Sequence, residues 1–261
     1  MITKVSILCP LKLKHRTIAF ISLKSYENLL KVFNKIRIDL SEYLTAFEMM
    51  DDLSLDAVVT NLEQTHPLTT SDNFYVLFEL SANDCEHMEK RMTQVLEELM
   101  SKQLITDGTY TSDENLQKFQ KLQSYRERIA EGLLKDGYSY KYDISLPLNV
   151  FYQIVEVMRQ RLKDLNCTRV CGYGHIGDSN LHLNMTSKVF DQKIKDSIEP
   201  FLYQYIAKHN GSISAEHGLG LKKRQYIHFS KKSEAIVLMK EIKRLFDPKS
   251  ILNPGKVLPI D

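Results

Sequence analysis

In this sequence of 261 residues, the clearest candidates for metal binding or catalysis are two histidines that flank a short polar turn. His175 comes just before the turn, and His182 follows it in a segment where apolar and polar residues alternate. Alternation predicts two strands joined by a tight connection, with the side chains of His182 and Asn184 on one face. Two close imidazoles and a carboxylate suit a divalent metal with an open coordination position. Two polar histidines beside a turn are the simpler alternative.

The same segment matches the dinucleotide pattern G-x-G-x-x-G at residues 172–177. A dinucleotide-binding turn must be followed by a helix whose N-terminal N–H groups meet the pyrophosphate. Residues 178–180 instead predict a turn, and residues 181–185 alternate as a strand does. We therefore expect a histidine-bearing hairpin here and no nucleotide-binding turn.

A carboxylate and a third imidazole stand side by side at Glu216 and His217, bracketed by small residues. Small residues let a backbone approach a ligand closely. Glu216 could complete the metal site while His217 acts as a base. The alternative is a helix start with an acidic first turn.

Two cations lie where an anionic ligand could use them. Arg126 flanks the apolar stripe of a predicted helix, and a charge held near apolar surface is costly unless it meets an anion. An arginine that extends to solvent is the alternative. Tyr138, Tyr140 and Tyr142 share one face of a predicted strand, which leaves Lys141 on the opposite, more polar face.

The elements that would position these residues form two strand–helix–strand blocks, near residues 16–111 and 138–209. Their order predicts an α+β fold: an antiparallel sheet with helices packed on one face, built from two ferredoxin-like halves. No linker rich in glycine, serine or proline divides the chain.

The composition excludes several classes of protein. A net charge of +2, with charges mixed along the chain, does not favour nucleic-acid binding. No apolar run approaches the roughly 18 residues of a membrane helix. The four cysteines are scattered, so we expect reduced thiols.

Three spaced motifs together resemble the C-terminal domain of FAD-linked oxidases, in the vanillyl-alcohol-oxidase-like superfamily. Within that family, further segments are more similar to the enzymes for D-2-hydroxyglutarate than to those for lactate or glycolate. The three motifs are residues 172–184, 214–218 and 247–256, and the further segments are 5–10, 126–129 and 136–147.

The resemblance implies FAD-dependent oxidation of a D-2-hydroxy acid, with D-2-hydroxyglutarate oxidised to 2-oxoglutarate. It further implies a divalent metal, with zinc as the expected ion, and an electron acceptor such as electron transfer flavoprotein. The implied site residues are metal ligands His175, His182 and Glu216, the base His217, substrate contacts Arg126, Lys141 and Asn184, and flavin contacts Asn253 and Lys256. The implied location is the mitochondrion.

The sequence also departs from the family pattern. The family usually has a threonine one helical turn after the arginine, and Ala130 stands there, which puts substrate affinity in doubt. We expect residues 1–15 to be the remnant of a junction with a missing FAD-binding domain, and residues 16–261 to be the substrate and metal domain. We therefore expect a truncated chain that has no targeting peptide. Alone, it should neither hold FAD firmly nor turn over a hydroxy acid. A D-lactate or glycolate dehydrogenase, a metal-dependent hydrolase and a silent fragment are the alternatives.

Overall fold

Runs of alternating and β-branched residues form seven strands among residues 3–259, the part of the chain that the computed structural model describes. The strands are β1 (His15–Leu23), β2 (Leu44–Asp51), β3 (Phe74–Ala82), β4 (Asp107–Ser112), β5 (Tyr138–Ser145), β6 (Arg169–His175) and β7 (Asn180–Ser187). They form one sheet in the order β4-β1-β3-β2-β6-β7-β5, and every neighbouring pair is antiparallel.

Helices connect and cover these strands. They are α1 (Tyr26–Asp39), α2 (Asp52–Asn61), α3 (Cys85–Ser101), α4 (Leu116–Glu127), α5 (Ile129–Leu134), α6 (Gln153–Leu162), α7 (Gln192–Ile198), α8 (Phe201–Lys208) and α9 (Ser233–Phe246). None of the helices within residues 3–259 is long and apolar enough to cross a membrane.

The sheet joins two halves of the ferredoxin-like kind. The first runs β1-α1-β2-β3-α3-β4 with α2 inserted, and its strand order is β4-β1-β3-β2. The second runs β5-α6-β6-β7 and continues into α7 and α8. Pairing of β2 with β6 makes the two halves one sheet. The predicted α+β class with an antiparallel sheet is confirmed.

Both faces of the sheet carry helices. Helices α1, α3, α6, α7 and α8 pack on one face, as expected, whereas α2, α4 and α5 form a second layer on the other. The reason lies in β1, where Ala19 and Ile21 enter one core and Ile18 and Phe20 the other. A strand that is apolar on both sides needs cover on both sides.

Some boundaries differ from a simple periodic interpretation. The apolar stripe of residues 116–133 is divided into α4 and α5 at Arg128, and residues 191–209 are divided into α7 and α8 before Phe201. Proline at position 200 has no N–H to donate to a continuous helix. The four cysteines are free. The predicted domain bounds, 1–15 and 16–261, include residues 1, 2, 260 and 261, which lie outside the described residues, and the boundary itself stays a prediction.

Candidate metal and substrate site

The residues that could bind a metal or a substrate share one face of four adjacent strands, β2, β6, β7 and β5. The pairing places His175 opposite Glu48, His182 opposite both Tyr173 and Asp143, and Asn184 opposite Lys141. Directly paired residues in an antiparallel sheet project to the same side. The face is that of the second helix layer, since Tyr173 packs in the same core as α4 and α5.

The connection between β6 and β7 is tight enough to bring the histidines together. One turn of 3-10 helix over Ile176–Asp178 is followed by Ser179 in the left-handed region, with φ 55°. A Cβ at Gly174 would lie 2.2 Å from the carbonyl oxygen of Asn180, so only glycine allows this approach of the strands. A strand, and no α-helix, follows the turn, which confirms that the glycine pattern is not a dinucleotide-binding motif.

Three donor atoms from these elements converge on one point. His175 Nε2 and His182 Nε2 are 3.4 Å apart, and Glu216 Oε1 lies 3.9 Å and 3.6 Å from them. Ligands about 2.1 Å from a tetrahedral metal lie about 3.4 Å from each other. The chemistry and spacing of this triangle therefore fit a divalent ion with a free fourth position.

A second, overlapping group contains Asp143, His182, Glu216 and His217, whose donor atoms lie within 4.8 Å of one another. Asp143 Oδ2 is already engaged, because it accepts backbone N–H bonds from Glu216 and His217 at 2.9 Å each. Its Oδ1 is buried, has no hydrogen-bond partner among the described residues, and lies 3.8 Å from His182 Nδ1. Asp143 thus holds the Glu216 loop from behind, and we favour the triangle with His175 as the metal site.

Each histidine of the triangle has a carboxylate on its far nitrogen. His175 Nδ1 is hydrogen-bonded to Glu48 Oε1 at 2.7 Å, and His182 Nδ1 faces Asp143. Carboxylates in this position orient metal-binding imidazoles. The arrangement leaves both Nε2 atoms directed at the common point.

The two histidines have opposite pKa shifts. Burial, followed by the charge of Arg126 and the proximity of His175, lowers the pKa of His182 to about 4. The hydrogen bond that His175 donates to Glu48 raises the pKa of His175. Although burial opposes it, the bond to His175 and the charge of Arg126 lower the pKa of Glu48. At neutral pH His182 is therefore neutral, and a neutral imidazole is the form that binds metal.

Arg126 reaches the site from the end of α4. Its Nε donates to Glu48 Oε2 at 3.0 Å, and its guanidinium lies 4.9 Å from the centre of the Tyr173 ring. Its side chain is 13% exposed, and its buried Nη2 has no hydrogen-bond partner among residues 3–259. A buried donor of this kind is costly unless an acceptor meets it. Arg126 is thus placed to bind an anion.

The remaining predicted contacts differ in exposure. Asn184 is buried and donates to the Tyr173 hydroxyl at 2.9 Å, so it supports that ring directly. Lys141 is exposed on the edge strand β5. His217 has a 64% exposed side chain, and its ring stacks 5.9 Å from that of His182.

Asn253 and Lys256 lie in a different place. They are exposed and line an open cleft of about 1060 Å³, whose lining residues all lie between Lys240 and Pro259. None of the histidine cluster borders this cleft. The neighbouring helix α9 leaves its apolar side chains exposed, Leu245 and Phe246 most of all.

Sequence reasoning assigned no role to Glu48, Tyr173 or Asp143. A charged residue between the buried Phe47 and Met49 was the available signal for Glu48.

Comparison with known proteins places this chain in a family. Residues 12–257 match the model of FAD linked oxidases, C-terminal domain. The chain belongs to that family. It is 46% identical to the mitochondrial D-2-hydroxyglutarate dehydrogenase of Danio rerio, over 99% of this chain and 48% of that protein. A putative mitochondrial D-lactate dehydrogenase of Schizosaccharomyces pombe is 42% identical, over 98% of this chain and 50% of that protein.

The chain spans about half the length of the curated relatives it matches. Among solved structures, 4-ethylphenol oxidase from Gulosibacter chungangensis has the same fold, with a TM-score of 0.65 at 14% identity. That match covers 96% of this chain and 55% of the other.

Proposed function

We propose that this chain supplies the metal- and substrate-binding part of an FAD-dependent D-2-hydroxy-acid dehydrogenase, with D-2-hydroxyglutarate as substrate. The observation that carries the proposal is the convergence of His175 Nε2, His182 Nε2 and Glu216 Oε1 near the buried guanidinium of Arg126. Membership in the FAD-linked oxidase family and the names of the relatives favour this reaction over metal-dependent hydrolysis.

His175, His182 and Glu216 would hold a divalent ion, with zinc favoured by two imidazoles and one carboxylate. Such an ion, when bound, lowers the pKa of a substrate hydroxyl. The backbone N–H groups of Glu216 and His217 donate to Asp143 and so hold the loop that carries the proposed ligand and base.

His217 would take the proton of the substrate hydroxyl. Its ring is exposed to an incoming ligand, and its Nε2 lies 3.6 Å from Glu216 Oε1, so a base stands beside the proposed metal ligand. A base within reach of the proton it removes is the first requirement of general-base catalysis. The hydride acceptor for C2 of the substrate would be supplied by FAD.

Arg126 and Lys141 would bind the two carboxylates of the substrate. The planar fork of an arginine suits a carboxylate, and Arg126 Nη2 is the donor left without a partner among the described residues. Asn184 contributes by holding the Tyr173 hydroxyl, since the Tyr173 ring packs against the guanidinium. Lactate has one carboxylate and would leave one of the two cations unused.

We further propose that Asn253 and Lys256 approach the flavin from their separate cleft. The names of the relatives support a mitochondrial location, and electron transfer flavoprotein is the proposed electron acceptor.

Ligand binding by the purified chain tests the proposal. Calorimetric titration with D-2-hydroxyglutarate should show binding that requires Zn²⁺ or Co²⁺. Glu216→Ala should lose the metal, and Arg126→Ala should lose affinity for the hydroxy acid. Arg128→Ala is the matched control, because Arg128 lies two residues away and pairs with Glu131 on the surface.

Binding that is indifferent to metal, or equally tight for D-lactate, would contradict the proposal. Hydrolysis of esters without flavin would favour the hydrolase alternative. With FAD and an artificial acceptor, we expect the 261-residue chain alone to turn over more slowly than about 1 per second.

A further inference from the structure

One carboxylate joins the proposed metal site to the proposed substrate site. Glu48, in the middle of β2, accepts from His175 Nδ1 through Oε1 at 2.7 Å and from Arg126 Nε through Oε2 at 3.0 Å. Its side chain is only 15% exposed. Each carboxylate oxygen therefore serves a different functional side chain.

The sheet fixes this carboxylate in place. The β2–β6 register pairs Glu48 directly with His175, and the next residue on that face, Met50, pairs with Tyr173. Met50 and Tyr173 are both in the buried core beneath α4. Because strands with a buried face resist slippage, the carboxylate cannot move along the sheet.

The hydrogen bonds of Glu48 determine which nitrogen atoms of His175 and Arg126 remain available to ligands. With Nδ1 held, the His175 ring directs Nε2 at His182 Nε2, 3.4 Å away. With Nε of Arg126 held by Glu48, Nη2 of the same guanidinium is a buried donor without a partner among residues 3–259. The negative charge of Glu48 also separates the guanidinium from the imidazole.

We infer that Glu48 is a positioning residue that couples metal binding to substrate-carboxylate binding by orienting His175 and Arg126 together. The inference rests on the proposed function. Without Glu48, the imidazole would lose its orienting carboxylate, and the guanidinium would lose both its brace and the charge that offsets it.

Glu48→Gln tests this coupling. Glutamine has the same shape, but its single carbonyl oxygen can serve only one of the two donors. We expect the dissociation constant for Co²⁺, measured from cobalt absorbance against a competing chelator, to rise about 10-fold to 100-fold. At saturating Co²⁺, the dissociation constant for 2-oxoglutarate should rise at least about tenfold.

Glu79→Gln is the matched control. Glu79 lies on β3, forms an ion pair with Arg16 at 2.5 Å, and has a side chain that is 12% exposed. The variant removes the same charge from a comparable ion pair, so its stability should fall similarly. Its affinities for Co²⁺ and 2-oxoglutarate should stay within about threefold of the parent, as expected away from the site.

A double-mutant cycle separates positioning from general loss of structure. If Glu48 acts through Arg126, the losses in 2-oxoglutarate affinity from Glu48→Gln and Arg126→Ala should be far from additive. Should Glu48→Gln not fold, Glu48→Asp keeps the charge but cannot reach both partners, and the same two constants should rise.

The outcomes distinguish the inference from the proposal beneath it. If parent and Glu216→Ala bind Co²⁺ equally, the proposed metal site is wrong. If the parent binds Co²⁺ specifically and the Glu48 variants match it within about threefold for both ligands, the metal site stands and the role of Glu48 is refuted.

Discussion

Metal binding to the histidine pair should displace one proton, and not two, at pH values below the raised pKa of His175 and above the pKa of His182. Both imidazoles must be neutral to bind a metal. Because burial lowers the pKa of His182 to about 4, this ring is already neutral across that range. The pKa of His175 is raised by its bond to Glu48, so only this ring must give up a proton from Nε2.

The magnitude follows from the number of protons. Metal affinity has its full value at pH values above the raised pKa of His175, and it falls as the pH drops below that pKa. One competing proton raises the dissociation constant about tenfold for each further pH unit, or ~1.4 kcal/mol. Two ordinary histidines would give about a hundredfold change for each pH unit below their pKa values.

Two assays measure this dependence. The dissociation constant for Co²⁺ can be followed against pH, and calorimetry in buffers of different ionisation enthalpy counts the protons released. Glu48→Gln removes the negative charge that helps to raise the pKa of His175, so the metal affinity of the variant should begin to fall at a lower pH. A slope of two, or two protons released near about pH 6, would refute the reasoning about burial of His182.

Three other predictions concern the helices that support the site. Arg126→Ala should weaken dicarboxylate binding by more than about tenfold, or ~1.4 kcal/mol. Arg126→Lys should recover only part of the lost affinity. A smaller loss of affinity in Arg126→Ala would mean that the guanidinium only stabilises the fold. Ala130→Thr should tighten binding by about 0.5–1.5 kcal/mol if the added hydroxyl reaches the ligand. Gly132→Ala should lower the free energy of unfolding by about 1–3 kcal/mol, because the new Cβ would lie 2.4 Å from the Ala57 carbonyl oxygen. In urea titrations, Gly177→Ala is the control, since a Cβ at that position would meet no heavy atom of another segment within 4 Å.

Structure that depends on residues close together in the sequence was predicted well. The pattern of residues 168–186 predicted both strands of the hairpin, and with them the face shared by His182 and Asn184. The reason is physical, since a side-chain period of two and a tight turn leave a hairpin little freedom.

Contacts between distant segments could not be predicted in the same way. Glu48 lies 127 residues before His175, and only the β2–β6 pairing brings the two together. Helix α2, with Leu55 and Val58 inward, belongs to a second layer that periodicity did not reveal. The apolar face of α9 has the period of a core helix, yet it is exposed, because an apolar stripe does not specify what covers it.

The opposite pKa shifts of the two histidines are related to the other hydrogen bonds of their neighbouring carboxylates. Glu48 has one oxygen free for His175, and the bond forms at 2.7 Å. Asp143 uses its Oδ2 for the amides of the Glu216 loop, and its Oδ1 stays 3.8 Å from His182. His182 therefore gains little stabilisation of its protonated form, and burial dominates its pKa. Burial thus keeps one imidazole neutral, while the other, hydrogen-bonded to Glu48, must exchange a proton for a metal.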